Sequence, residues 1–326
     1  MYNYCTLFNS IYLTRGLALY ESLKKHSAAF HLYIFAFDDR CYQLLKKLNL
    51  SNATIISLQE FEDEALLKIK NSRSVGEYCW TCTPSSIKYA IETYRLTHCT
   101  YLDADLYFFS DPSTLIEEMD SNSVSIIEHR YTPDYDQTKA SGKYCVQFMT
   151  FKNDDNGMIV LNWWREACID WCYARFENGK FGDQKYLDDW TKKFEGVYEL
   201  KNLGGGVAPW NIQQYQLFNN DNQILGVELS SKKEFNLIFY HFHMFKFLEY
   251  NQVDLGYYKF TEQHIEVIYK PYIVHLYKIK MLISEYDSTY DYQGTEKKMV
   301  NLISKLKVLK RVLFGYYNIF SLKKFI

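Results

Sequence analysis

Short apolar runs alternate with segments of helical periodicity in the first third of the chain. Three such runs, YNYCTLFN (2–9), HLYIFAF (31–37) and ATIISL (53–58), have the length and composition of buried strands. Between the first two, YLTRGLALYESLKKH (12–26) carries apolar residues at helical spacing and basic residues in its last turn. Strands that alternate with helices in this way predict an α/β fold, with a mostly parallel sheet and helices on both faces.

A further helix and strand follow, and they end at an unusual polar pair. The pattern predicts a helix over TPSSIKYAIETYRL (83–96), with Thr83 as its cap and Pro84 at its first helical position. The next strand runs into YLDAD, where Asp103 and Asp105 interrupt an otherwise apolar stretch. Because ligands bind parallel sheets at the carboxyl ends of strands, this pair lies where a ligand is expected.

The chemistry of this pair suggests a metal ion. On a strand, the side chains of Asp103 and Asp105 would point the same way. Two neighbouring carboxylates repel each other, and their burial without a partner is costly. A divalent cation removes both difficulties, and carboxylate oxygens suit Mn²⁺ or Mg²⁺. The pair therefore predicts a Mn²⁺ or Mg²⁺ site, and the alternative is a strand-end acid pair that faces water.

The second half of the chain contains similar elements in a less regular order. The pattern predicts three strands, an aromatic helix, a turn that enters a short helix and a Gly-rich loop: SVSIIE (123–128), VQFMTF (146–151), FNLIFYHFH (235–243), GMIVLNWWREACIDWCYARF (157–176), GKFGDQKYLDDW (179–190) and LGGGVAPWN (203–211). No internal repeat or long linker separates them. We therefore predict one domain over 1–255 and a helical C-terminal extension over 256–326.

The end of the chain differs from the rest in charge. Residues 297–326 carry eight basic residues and no acidic residue, whereas the whole chain has a net charge of −2. An apolar stripe at helical spacing is formed by Met299, Leu302, Leu306, Leu309 and Leu313, with Lys298, Lys305 and Arg311 outside it. Such a basic amphipathic helix can bind an anionic membrane surface, or it can pack on the protein with a solvated basic face.

Length and composition limit the class of protein. The 326 residues, 48% of them hydrophobic, suit one large α/β domain with an appendage or two modest domains. A net charge of −2 excludes a surface that is basic throughout, so no nucleic-acid partner is predicted. We find no secretory signal and no apolar run of about 18 residues, and we predict neither secretion nor a membrane span. The eight cysteines are then expected to be reduced thiols in the cytoplasm.

The segment YLDADLYFF (101–109) resembles the metal-binding strand end of nucleotide-sugar glycosyltransferases with the GT-A fold. The likeness is strongest to the retaining family 8 glycosyltransferases and to related bacterial lipopolysaccharide and capsule glycosyltransferases. It covers residues 2 to about 246 in the same order. The resemblance implies a GT-A, Rossmann-like sheet, with a nucleotide-binding half over 1–120 and an acceptor half over 121–255.

The resemblance also implies which residues meet the sugar donor. The opening YCTLFNSIYL (4–13) lies where these enzymes hold the nucleotide base, and Lys88 lies where they place a basic residue near the donor. HFHMFK (241–246) resembles a motif whose His binds metal and whose Lys contacts diphosphate, although Met244 replaces a glycine and Lys246 comes one residue early. Together with Asp38 as a ribose or base contact, the implied donor-binding residues are Thr6, Phe8, Asn9, Tyr12, Asp38, Lys88, Asp103, Ala104 and Lys246.

Two histidines compete for the third position on the metal. His241 and His243 have the spacing of residues on one face of a strand, so either can accompany Asp103 and Asp105. Imidazole is a common metal ligand. Ordinary strand histidines are the alternative.

The segment GDQKYLDDW (182–190) resembles the Asp-Gln-Asp segment at the catalytic centre of these enzymes, with Lys185 in place of the third member. Glycosyl transfer passes through a cationic sugar, which Asp183 and Gln184 are predicted to stabilise. PWN (209–211) resembles the Trp-Asn that follows in the family.

The sequence is compatible with either stereochemistry of transfer. An inverting enzyme needs a carboxylate base at the acceptor hydroxyl, which Asp188 or Asp189 could supply. The resemblance alone favours retention.

These features predict a metal-dependent glycosyltransferase of the hexosyltransferase type. It would move a sugar from a nucleoside diphosphate sugar, with UDP favoured, to a glycan or lipid-linked glycan in bacterial surface polysaccharide synthesis. We expect it in the cytoplasm, and at the inner face of the membrane if the basic tail binds lipid instead of packing on the protein. The alternative is a noncatalytic carbohydrate-binding or scaffold protein on the same fold.

Overall fold

The computed structural model describes residues 1–221, 223–297 and 302–326. In chain order its strands are β1 Tyr2–Phe8, β2 Phe30–Ala36, β3 Ala53–Ser57, β4 His98–Leu102, β5 Leu106–Phe108, β6 Val124–Glu128, β7 Tyr144–Lys152, β8 Val197–Glu199, β9 Tyr215–Asn220, β10 Gln223–Glu228, β11 Glu234–Asn236, β12 Phe239–His241, β13 Lys246–Leu248, β14 Gln252–Asp254 and β15 Ile319–Ser321. Its α-helices are α1 Leu13–His26, α2 Asp39–Leu48, α3 Leu58–Phe61, α4 Glu64–Lys70, α5 Val75–Tyr94, α6 Ser113–Glu118, α7 Thr138–Ser141, α8 Asp155–Asp170, α9 Trp190–Lys193, α10 Glu262–His264, α11 Lys270–Tyr286 and α12 Leu302–Leu313. A π-helical turn at Ile265–Tyr269 joins α10 to α11.

A seven-stranded sheet forms the centre of the fold, in the order β3-β2-β1-β4-β7-β6-β8. Strands β3, β2, β1 and β4 are parallel, β7 runs antiparallel to both of its neighbours, and β8 is parallel to β6. The predicted α/β fold with a mostly parallel sheet is confirmed. The chain first builds β2 and β3 on one side of β1 and then places β4 on the other side. This change of direction creates a crevice at the carboxyl ends of β1 and β4, which is where such sheets bind ligands.

The two faces of the central sheet bury separate cores. Side chains alternate along β1, so Tyr4 and Phe8 face one core while Cys5 and Leu7 face the other. Helices α1, α2 and α11 cover the first face, and α5 and α8 cover the second. Trp164 of the aromatic helix α8 is fully buried in the second core.

Helix α5 begins eight residues earlier than predicted, at Val75. Ser74 caps it and forms a capping box with Glu77, a signal that is present in the sequence. The prediction of Thr83 as the cap and Pro84 as the first helical residue is therefore wrong. Pro84 lies inside the helix, where a proline cannot donate a backbone hydrogen bond, and the Thr83 hydroxyl donates to a carbonyl one turn back.

The predicted long strand over 235–243 is also wrong. Its first residues belong to β11, which pairs with β10, and its later residues form β12, which pairs with β5. The buried Leu237 and Ile238 join the two strands. The aromatic helix likewise ends at Asp170 instead of residue 176, because the chain turns into an extended segment at Trp171.

Parts of the predicted C-terminal extension pack on the rest of the fold. Strand β15 pairs with β14, and α11 contributes Tyr272 and Ile273 to the first core. The predicted basic face of α12 is wrong at Arg311, which is 4% exposed and donates two hydrogen bonds of 2.6 Å to the Asp254 carboxylate.

The other members of the predicted stripe lie differently. Leu306, Leu309 and Leu313 are exposed. Lys298 and Met299 lie outside the described residues, as do the side chains of Leu302 and Lys305. No helix within the described ranges has both the length and the apolar character needed to cross a membrane.

Candidate functional site

Asp103 and Asp105 lie in the turn after β4, whereas the prediction placed them within a strand. The Leu106 N–H donates to the Asp103 carbonyl over 3.1 Å and closes this turn. The Asp103 N–H donates to the Gln147 carbonyl over 3.0 Å, and the Asp105 carbonyl accepts from the Phe242 N–H over 3.0 Å. The main chain of both acids is therefore fixed to β7 and to the segment after β12.

Strand β12 brings a histidine to the two acids. It pairs with β5, and the register places His241 opposite Leu106. The Nε2 atom of His241 lies 3.1 Å from Asp105 Oδ1 and 3.8 Å from Asp103 Oδ2. Its Nδ1 atom lies 2.9 Å from the side-chain oxygen Oε1 of Gln147. Asp103, Asp105 and His241 each offer one ligand atom, and these atoms lie within 4.8 Å of one another.

Burial and mutual charge shift the protonation of all three groups. Burial raises the pKa of Asp103 to about 6, although the nearby His241 opposes this shift. Burial also acts on Asp105, but the charge and hydrogen bond of His241 outweigh it and lower the pKa of Asp105 to about 2. For His241, burial lowers the pKa, and the two carboxylates raise it more, to well above its usual value. The imidazolium therefore balances the acids here, and a bound divalent cation could take over that role.

His243 lies beyond the end of β12, so the prediction that both histidines share one strand face is wrong. It is exposed within the cleft, and it is not part of the group of ligand atoms formed by Asp103, Asp105 and His241. The next residue, Met244, has a left-handed φ of 64°. This left-handed conformation is one that glycine adopts more readily than methionine.

The acids and histidines line a cleft of about 630 Å³ at the carboxyl ends of β1 and β4. Predicted donor-binding and catalytic residues also line it: Phe8, Asn9, Tyr12, Ala104, Asp183 and Gln184. The chain thus brings together, from positions far apart in sequence, most of the central residues that the pattern and the resemblance selected.

Asp183 and Gln184 enter the cleft from the turn before the 3-10 segment Lys185–Asp189. Asp183 is 5% exposed, and burial, followed by the charge of Asp103, raises its pKa to about 8. The Gln184 side-chain amide donates to the Ser141 carbonyl over 2.8 Å. Asp183 is therefore a buried and protonated acid beside the pair, and Gln184 is tied to the cleft wall.

The two other predicted acids point elsewhere. Asp188 accepts hydrogen bonds from the Lys143 N–H over 2.7 Å and from the Lys185 ammonium over 2.8 Å. Asp189 is exposed. Neither belongs to the described residues that line the cleft.

Asp38 and Thr6 were predicted to contact the sugar donor, but neither lines the cleft. The Asp38 carboxylate accepts from the N–H and hydroxyl of Ser10, both over 2.8 Å, and it caps α2 through the Cys41 N–H over 2.7 Å. Thr6 is fully buried in β1. Both lie outside the set of described residues that form the cleft lining.

Lys88 and Lys246 were also predicted to contact the sugar donor, and both form ion pairs outside the cleft. The Lys88 ammonium lies 2.6 Å from the Asn162 side-chain oxygen and 2.7 Å from the Glu92 carboxylate. The Lys246 ammonium forms an ion pair of 2.7 Å with Glu296. Neither lysine is among the described cleft-lining residues.

Of the residues that form the aromatic wall of the cleft, sequence reasoning singled out Trp210, in the PWN segment, but neither His129 nor Tyr131. His129 is 3% exposed and stacks on Tyr131 with ring centroids 4.5 Å apart. Trp210 meets both His241 and His243 edge-on, at 5.3 and 5.4 Å. Tyr131 and Trp210 come together because the Trp210 indole N–H donates to the His129 carbonyl. Such rings provide flat apolar faces like those on which sugars stack.

Burial keeps His129 neutral. It lowers the pKa of this imidazole to about 3, and the ring nitrogen Nδ1 lies 3.1 Å from the Lys143 carbonyl. Because His129 is neutral, the charges among the described cleft-lining residues lie mainly on the group of Asp103, Asp105 and His241. Periodicity could not reveal His129, because it follows β6 with no companion motif.

Comparisons with known proteins place the chain in a family. No protein-family model matches it. The uncharacterized protein YfnD of Bacillus subtilis (strain 168) is 30% identical over 298 residues, which cover 89% of this chain and 92% of YfnD. The uncharacterized protein YfnF of the same strain is 31% identical over 258 residues, which cover 77% of this chain and 84% of YfnF. The chain therefore belongs to the family of YfnD and YfnF.

Solved structures offer a more remote likeness. The apo form of mouse xyloside xylosyltransferase 1 is similar at a TM-score of 0.47 and 12% identity, over 74% of this chain and 98% of that chain. A likeness of this size leaves function to be argued from the cleft itself.

Proposed function

We propose that this protein is a metal-dependent glycosyltransferase that uses a nucleoside diphosphate sugar, with a UDP-sugar favoured. The observation that carries the proposal is the convergence of Asp103, Asp105 and His241 at the mouth of a sheet crevice, with ligand atoms within 4.8 Å of one another. Two neighbouring acids in such a crevice repel each other and lower the stability of the fold. A cation that binds both acids and a diphosphate would remove this repulsion, and the crevice is where such sheets bind ligands.

The donor set fits Mn²⁺ or Mg²⁺. Two carboxylate oxygens and one imidazole nitrogen suit these cations, and Mn²⁺ accepts the nitrogen more readily. The exposed His243 stands beside the group and can contact the same diphosphate. When bound, the cation acts as a Lewis acid on the departing diphosphate.

The proposed roles of the other residues follow from their positions. Phe8, Asn9 and Tyr12 line the side of the cleft at the end of β1, where the nucleoside would bind. Asp183 and Gln184 line the cleft with Asp103 and would face the sugar. A cation on Asp103 would remove one cause of the raised pKa of Asp183, and the ionised Asp183 would then stabilise the developing positive charge together with the Gln184 oxygen. Retention of configuration is favoured over inversion, because the carboxylates of Asp188 and Asp189 do not reach the cleft.

The metal dependence can be tested by thermal unfolding with a panel of nucleoside diphosphates, with and without Mn²⁺. UDP with Mn²⁺ is expected to raise the Tm by several degrees, since ligand at 100 times its Kd contributes about 2.7 kcal/mol. Asp105→Ala should fold but lose this response. Asp189→Ala, an exposed acid of the same chain, is the matched control and should keep it.

The same experiment separates the enzyme from a scaffold protein. Stabilisation by sugars alone, without nucleotide or metal, would favour a carbohydrate-binding scaffold. Release of nucleoside diphosphate from a UDP-sugar by the wild type, lost in Asp105→Ala, would support the transferase.

We propose further that α12 binds an anionic membrane surface and that the acceptor is a glycan on a lipid of bacterial surface polysaccharide synthesis. Leu306, Leu309 and Leu313 are 57%, 54% and 74% exposed, and Lys310 is exposed beside them. An apolar face next to basic residues suits anionic lipid. Arg311 ties the helix to the segment before Tyr258, which lines the cleft.

Vesicle co-sedimentation tests the membrane proposal. The wild type is expected to bind vesicles of phosphatidylcholine with phosphatidylglycerol, to bind pure phosphatidylcholine weakly, and to dissociate at high salt. The double variant Leu309→Glu with Leu313→Glu should lose binding and keep its Tm, because both side chains are exposed. Equal binding by the double variant, or none by the wild type, would refute the proposal.

A further inference from the structure

We propose that Gln147 is a positioning residue that holds the His241 ring so that its Nε2 atom faces the metal. The inference rests on the proposed metal-dependent function. Gln147 lies in β7 and is fully buried, and it is not among the described residues that line the cleft. It therefore acts on the site through His241 and does not touch the donor.

The two nitrogens of His241 have different neighbours. Nδ1 lies 2.9 Å from Gln147 Oε1, while Nε2 lies 3.1 Å from Asp105 Oδ1. An amide oxygen can only accept a hydrogen bond, so Nδ1 must carry a proton toward Gln147. In the neutral ring the lone pair is then on Nε2, which is the atom that faces both acids. A histidine ligand is commonly fixed in this way by a partner on its other nitrogen.

The rest of the Gln147 side chain is poorly satisfied. Its amide nitrogen Nε2 is buried and has no hydrogen-bond partner among the described residues. A buried amide with an unpaired donor lowers stability relative to an apolar side chain of the same size. A polar residue is nevertheless present at this fully buried position, and within the described part of the chain its side chain bonds only to His241. This arrangement points to a role in orienting the imidazole.

Gln147 also fixes the first acid. Its main-chain carbonyl accepts from the Asp103 N–H over 3.0 Å. One residue of β7 thus holds both the backbone of Asp103 and the ring of His241. The relative placement of these two ligands then depends on a single rigid strand.

The inference is tested by Mn²⁺ binding, measured as free Mn²⁺ by electron paramagnetic resonance. Gln147→Met, which keeps the length and removes the acceptor, is expected to weaken Mn²⁺ binding 10- to 100-fold. Gln147→Glu, which keeps an oxygen toward Nδ1, should bind within a few fold of the wild type. Gln147→Asn keeps the amide but is one methylene shorter, so it should also weaken Mn²⁺ binding. It serves as the second test variant if Gln147→Met does not fold.

Controls separate positioning from general loss of stability. Thr150→Val in the same strand removes the buried 2.8 Å hydrogen bond to Thr100, and it should lower the Tm while leaving Mn²⁺ affinity unchanged. Gln147→Met should show the reverse, a retained Tm and weaker Mn²⁺ binding. Wild-type affinity in the Met and Asn variants would overturn the inference, as would a Glu variant as weak as the Met variant. A wild type that binds no Mn²⁺ would instead remove the proposed metal-dependent function.

Discussion

Replacement of Arg311 by Ala is expected to lower the free energy of unfolding by about 3–5 kcal/mol. The guanidinium donates two hydrogen bonds of 2.6 Å to the Asp254 carboxylate and one of 2.9 Å to the Gly256 carbonyl. Asp254 is 7% exposed, so the variant would leave a buried carboxylate without its cation. Removal of one partner of a buried pair costs far more than the pair itself contributes. Urea unfolding followed by circular dichroism measures the change.

A double-variant cycle isolates this effect. Arg311→Met combined with Asp254→Leu removes both charges and should recover most of the stability lost in Arg311→Ala. Arg175→Ala breaks an exposed ion pair with Glu177 and should change stability far less. Similar losses in the Arg311 and Arg175 variants would show that the Asp254 pair is not buried in solution.

The same pair explains why the orientation of α12 could not be predicted. The alternation of leucines and basic residues at 302–313 suggests a helix with a basic face toward water. The structure instead turns Arg311 inward, because Asp254 at the end of β14 offers a buried partner 57 residues earlier in the chain. A periodic pattern contains no information about such a distant partner.

The central sheet could be predicted because its signals are local. Apolar runs of strand length and a helical spacing of apolar residues between them identify β1 to β4 and α1. Two of the three candidate metal ligands were predictable for the same reason, since Asp103 and Asp105 interrupt an apolar segment. Competing local signals caused the error in α5, where the Thr83-Pro84 pair suggested a helix start more strongly than the capping box at Ser74 did.

The rest of the site depends on pairing between distant segments. Only the register of β12 against β5 brings His241, and not His243, beside Asp105. Gln147 lies in an apolar strand, and its contact with His241 joins residues 94 positions apart. The low pKa of His129 and the high pKa of Asp183 arise from burial, which the sequence does not specify.

Replacement of Asp183 by Asn is expected to stabilise the metal-free protein and to abolish most of the proposed transfer activity. Burial and the charge of Asp103 raise the pKa of Asp183 from 3.8 to about 8. The folded protein therefore keeps this proton up to about pH 8, whereas the unfolded chain releases it near pH 4. Wild-type stability should fall as the pH rises between these two values, and the Asn variant lacks this loss.

The stability difference between Asp183→Asn and the wild type should consequently be small at pH 5 and grow toward pH 8. It is expected to reach a few kcal/mol, because each pKa unit corresponds to about 1.4 kcal/mol. Unfolding in urea with a metal chelator at both pH values measures it. Asp189→Asn, in the exposed part of the same segment, is the control and should follow the wild type at each pH.

Asp183→Asn should lower kcat although it raises the stability of the metal-free protein. A bound cation would neutralise the charge of Asp103, which raises the pKa of Asp183 in the metal-free protein, so Asp183 is expected to ionise in the loaded enzyme. Replacement of that carboxylate by a neutral amide should lower kcat by about 10²-fold or more, while the Mn²⁺ and UDP affinities change little. Gain of stability with loss of turnover is the behaviour of a buried group that serves function and strains the fold. A stability difference that does not change with pH would mean that Asp183 is not protonated in the folded protein. Unchanged kcat would place the stabilisation of the cationic sugar on another residue of the cleft.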